Sequence, residues 1–104
     1  MVAENQIEYE MGYAADEFGN VLKGAFTGDR TELFHSESAR HRWTVSKTGS
    51  DFQVAISVIE KPPRKLGLFN LPVLQVCFDF GVSAIEDKDS FMERFHKYFH
   101  KGGG

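Results

Sequence analysis

Apolar and polar residues alternate most regularly between Leu71 and Val82. Leu74, Val76, Phe78, Phe80 and Val82 fall on one side, and Gln75, Cys77, Asp79 and Gly81 on the other. A period of two predicts a strand with one face in a core and the other on wetter ground. Pro72 fits near the start of such a strand or on an edge.

The same period recurs earlier. Ile7, Tyr9, Met11 and Tyr13 alternate with Gln6, Glu8, Glu10 and Gly12, which predicts a first strand. Thr31–His35 is consistent with a short strand, and the polar Ser36–Arg40 with a loop. Trp43 and Val45 alternate with Arg42, Thr44 and Ser46, and Phe52, Val54, Ile56 and Val58 alternate with polar or small residues. The Gly-bearing turn Lys47–Asp51 between these two runs predicts a β-hairpin.

Two periods compete over residues 14–26. Ala14, Ala15, Phe18, Val21, Leu22, Ala25 and Phe26 have helical spacing. Gly19 and Gly24 each cost about 1 kcal/mol in a helix interior and flank Asn20. They tilt the reading toward a turn at Asp16–Asn20 followed by a strand over Val21–Thr27.

The chain ends on a different rhythm. Phe91, Met92, Phe95, Tyr98 and Phe99 form an apolar stripe at helical spacing within a helix-like run from Phe91 to Lys101. Ser83 and Glu86 fit a capping box, acids stand at the start and Lys97, His100 and Lys101 at the end, as the helix dipole favours. Gly102 is a helix stop. The expected architecture is α+β: an antiparallel, meander-like sheet of five to six strands with a C-terminal amphipathic helix packed on one face. All 104 residues fit one domain, with residues 1–5 and 102–104 frayed.

Composition adds that Phe supplies ten of the aromatic residues, a large apolar volume without polar tips. The net charge of −3 lacks the basic excess that nucleic-acid binding needs. The acidic surplus lies entirely in residues 1–50, with eight acids against five bases; residues 51–104 carry seven of each. One cysteine, Cys77, allows no disulfide within the chain, and the start of the sequence lacks a signal-peptide pattern, so the expected location is cytoplasmic. No apolar run reaches the ~20 residues of a membrane helix. A soluble protein is expected.

Candidate chemistry is sparse. Glu93, His96 and His100 share a helix flank at metal-ligand spacing, but Lys97 stands where a cation would be repelled, and a solvated flank is the better reading. His35, Arg40, His41 and Arg42 concentrate cations and imidazoles without a phosphate-cradling loop, so a polar connector is preferred. Asp79 two residues from Cys77 raises the thiol pKa and argues against a nucleophile. No cofactor, metal or catalytic residue is nominated.

The segment Lys61–Asn70 is the preferred surface. Pro62 and Pro63 should end the preceding strand and stiffen a long connector. That connector sets Lys61, Arg64 and Lys65 beside Leu66, Leu68 and Phe69. Long connectors that expose apolar groups are contact surfaces. The chain therefore reads as a non-enzymatic interaction module or accessory subunit with a protein partner or a homodimer. The alternative is a small-ligand binder or modest enzyme with a pocket between sheet and helix, to which Tyr9, Tyr13, Trp43 and His96 could lend polar groups.

Overall fold

The computed structural model describes residues 6–81 and 85–99. The elements are β1 (Gln6–Met11), α1 (Ala15–Ala25), β2 (Arg30–Glu37), β3 (Arg40–Ser46), β4 (Gln53–Leu66), β5 (Phe69–Asp79) and α2 (Ile85–Tyr98). The five strands form one antiparallel sheet in the order β1-β5-β4-β3-β2, a meander from β2 to β5 closed by β1 on the far edge. Both helices lie on the same face. The α+β architecture read from the sequence is the one observed.

Residues paired across strands share a face, so the ladder register sorts the side chains. Ile7, Phe78, Ile56 and Trp43 form one row across the sheet; Tyr9, Val76, Val58 and His41 form the next. These rows face the helices. Val45, Val54, Ile56, Val76, Phe78 and Phe80 are buried there with Phe18 and Leu22 of α1 and Phe91, Met92, Phe95 and Phe99 of α2. The aromatic rings interlock: Phe95 meets Phe78 edge-on at 4.7 Å and stacks on Phe99 at 4.1 Å, while Phe26 stacks on Phe91 at 4.6 Å. The stripe predicted for the last helix is buried as expected, except that Tyr98 is 46% exposed.

Within residues 14–26, Ala15–Ala25 form a helix, not a turn and the second strand of a hairpin. Phe18, Leu22 and Ala25 recur on one side and are fully buried. Gly19, which counted against a helix by propensity, faces Trp43 at the closest point of contact with the sheet. A Cβ there would stand 2.6 Å from Trp43 Cζ2. Its helical cost is outweighed because only hydrogen lets α1 settle onto the indole. Asp16 and Glu17 in the first turn and Lys23 in the last suit the helix dipole.

Two boundaries also move. Ser36 and Glu37 belong to β2, and the polar loop shrinks to the turn Ser38-Ala39 between Glu37 and Arg40. The prolines do not end a strand: β4 runs through Pro62 and Pro63 to Leu66. Both fall at a register shift between Lys61 and Arg64, beyond the last β3 pairing at Ile59, where the open edge and the irregularity in the β5 ladder together accommodate the missing N–H groups. Val82, the capping box at Ser83 and the helix end at His100–Gly102 lie outside the described residues.

Candidate interaction surface

Past Ile59 on β4 and Leu74 on β5, neither β3 nor β1 accompanies the central hairpin. Residues 61–73 continue alone as a two-stranded arm. Lys61 pairs with Val73, Arg64 with Leu71, Lys65 with Asn70 and Leu66 with Phe69. Gly67-Leu68 closes it, and Gly67 at φ +60° supplies the positive torsion that a tight hairpin turn requires. Six residues at about 3.3 Å each reach roughly 20 Å beyond the body, and the molecule measures 48 × 31 × 27 Å.

Every candidate surface residue lies on this arm. Lys61, Arg64, Lys65, Leu66, Leu68 and Phe69 are exposed, Leu68 completely and Phe69 at 72%. Leu71, which the sequence reading had placed in the following strand, is exposed beside them. The connector expected from the prolines is thus a ladder, and its apolar groups are held in fixed order. Arg64, Leu66, Phe69 and Leu71 share one face of the ribbon, and Lys65 and Asn70 the other. The Arg64 guanidinium donates to Glu10 Oε1 at 2.6 Å, which ties the first face of the arm to the helix-free side of the sheet.

That side carries Glu8 and Glu10 on β1, Gln75, Cys77 and Asp79 on β5, Ala55, Ser57 and Ile59 on β4, Arg40, Arg42 and Thr44 on β3, and Glu32, His35 and Glu37 on the β2 edge. Among the described residues no helix covers it. Cys77 is half-buried among these neighbours. Burial pushes its thiol pKa up, and the carboxylates of Glu8 and Asp79 add to the rise, the direction expected from Asp79 alone. It is a poor nucleophile in this setting.

The remaining sequence candidates disperse. Arg40 and Arg42 alternate with His41 and occupy the opposite face; His35 pairs across the ladder with Arg42 and lies 3.4 Å from Glu37. His41 is engaged at both nitrogens, 2.7 Å from Ser36 Oγ and 2.7 Å from Glu60 Oε2. The contact with Glu60 calls for a proton on Nε2, and the Ser36 hydroxyl engages Nδ1, so the ring joins β2, β3 and β4 at the base of the arm. The sequence alone does not place this contact, because Glu60 comes diagonal to His41 only through the register that pairs His41 with Val58. Glu93 and His96 lie on α2, His100 is outside the described residues, and His96 Nε2 instead meets Tyr9 Oη at 3.1 Å. Among the described residues no cluster of His, Cys, Asp and Glu could hold a metal ion.

The four polar groups considered for a pocket do not converge. Tyr13 and Trp43 are core residues, while Tyr9 bonds His96 near the surface. A hollow of about 270 Å3 opens elsewhere, at the start of α2, over Phe26, Phe52 and Phe91 with Asp29, Lys47 and Asp87 around it. Among the described residues, no helix is long and apolar enough to cross a membrane. Comparison with protein-family models, with curated proteins and with solved structures finds no match.

Proposed function

We propose that this chain is a protein-interaction module or accessory subunit whose contact surface is the arm 61–71. One observation carries the reading: Leu66, Leu68, Phe69 and Leu71 stand exposed on a ribbon that no other element of the described residues backs. A two-stranded ribbon is marginal in water by itself, and its apolar side chains gain about 25 cal/mol for each Å2 removed from solvent. A covering partner stabilises both the ribbon and its side chains. Lys61, Arg64 and Lys65 set a basic rim around the apolar centre, the arrangement of a contact patch with a charged border. The single cysteine supports a cytoplasmic location.

The alternative, a small-ligand binder or modest enzyme, rests on the 270 Å3 hollow beside α2. Ligand pockets usually span about 300–1,000 Å3 and are lined mostly by apolar groups; this hollow falls just short in volume, and a wider one of about 390 Å3 is lined by the largely polar set Glu8, Tyr9, Glu10, Lys61 and Gln75. The interaction reading has the stronger support.

Phe69→Asp tests it. The variant should melt like the wild type, since Phe69 is outside the core, yet lose the partner or self-association that purified wild-type protein shows from its native host. Retention of that contact by Phe69→Asp, or its absence in the wild type, would refute the arm as the contact surface.

A further inference from the structure

The helix-free face is self-complementary in charge about the seam between β4 and β5. One ladder row runs Glu8, Cys77, Ser57, Arg42 and ends on His35 of the β2 edge; the next runs Glu10, Gln75, Ile59, Arg40 and ends on Glu37. Acid and base thus lie one strand outside the central pair, on opposite sides and at matching levels. Arg40 and Arg42 have no ion-pair partner among the described residues, the only polar contact of Glu8 there is with Gln75 Nε2 at 3.1 Å, and Glu10, already held by Arg64, would share its carboxylate, so Glu8 and Arg42 form the principal pair. Between Glu8 and Arg42 stand only the small side chains of Cys77 and Ser57, with Ala55 in the adjoining row, which permits a second sheet at the usual spacing of about 10 Å.

We propose that a second copy of this chain covers this face, related by a two-fold axis parallel to the β4/β5 seam. The proposal rests on the interaction-module reading and names the partner. Such a rotation carries β1 of one copy over β3 of the other and keeps each row at its own level. Glu8 then lies over Arg42 and Glu10 over Arg40, each twice, as an isologous interface requires. The same axis sets both arms at one end and brings Leu66 over Phe69 and Arg64 over Leu71. An unrelated partner has no need of acid and base rows equidistant from one seam. A two-fold mate does.

The area is adequate and small. Five rows of four strands and an arm of two strands give a footprint of roughly 500 Å2 per copy, near 1,000 Å2 in total, the lower bound for a specific interface. The dimer should therefore be reversible and weakened by salt, which screens exposed ion pairs.

Sedimentation equilibrium with charge-swapped chains decides the matter. Wild type should dimerise at low ionic strength, and Arg42→Glu or Glu8→Arg alone should each dimerise roughly tenfold more weakly through like-charge contact. An equimolar mixture of the two variants should regain wild-type association, because the heterodimer restores both pairs. Both positions are exposed or half-exposed strand residues, and melting curves verify that each variant folds. A monomeric wild type, or single variants that dimerise as well as the wild type, would overturn the second copy as occupant. If the wild type is monomeric while Phe69→Asp still abolishes capture of another protein, the dimer alone is wrong and the module reading stands. If that capture is absent as well, both fall.

Discussion

Gly19 and Trp43 touch so closely that a methyl group on the glycine would stand 2.6 Å from indole Cζ2. This contact sets the distance between α1 and the sheet. Gly24, one turn later on the same helix, has nothing within 4 Å of its Cβ position. The two glycines are opposites in one element. Gly19→Ala should destabilise the fold by about 1–3 kcal/mol through displaced packing, despite the better helix propensity of alanine. Gly24→Ala should stabilise by up to about 1 kcal/mol. Chemical denaturation of both variants gives the opposite signs directly.

Phe95 is fully buried between Phe78 and Phe99. Phe95→Ala should cost about 3–5 kcal/mol, the range for a core aromatic. That is a large share of a small domain's stability. The thermal midpoint of the variant measures it, and wild-type-like melting would mean that α2 is not part of the core.

The Cys77 thiol is held above its usual pKa by burial, Glu8 and Asp79. Alkylation by iodoacetamide, which needs the thiolate, should be slower in the folded chain than in the unfolded chain near pH 8. The unfolded state ionises first as pH rises, so this group contributes stability that is full below the unfolded pKa of about 8.5. That contribution is lost as pH climbs through the higher folded value. Cys77→Ser should flatten that alkaline decline, read as the difference in denaturation midpoint between pH 7 and pH 10.

Ser38 adopts φ 52° in the turn between β2 and β3. A side chain is strained there, and Ser38→Gly should gain roughly 0.5–1 kcal/mol, visible as a higher melting temperature.

The strands were legible because each of β3, β4 and β5 buries one face against helices and leaves the other open, which writes a period of two into the chain. Helix α2 was legible for the matching reason at period 3.6. Helix α1 was obscured by Gly19, whose cause lies 24 positions away at Trp43, a contact no local propensity contains. The arm was legible in composition and illegible in form. Pro62 and Pro63 signal a strand end only where both edges are paired, and the sequence does not state that β3 stops at Arg40. The charge rows of the open face were likewise hidden. Glu8 and Arg42 acquire their relation only once β5 and β4 are set between them.

The contact role of the arm is tested most directly by photo-crosslinking from single positions in the protein expressed in its native host. A photoreactive residue at Leu68, the fully exposed turn position, should yield a discrete adduct, either with a second copy or with another protein. The same residue at Asn20, on the exposed side of α1, should yield none. An adduct pattern that is equal at the two positions, or empty at Leu68, would contradict the arm as the working surface.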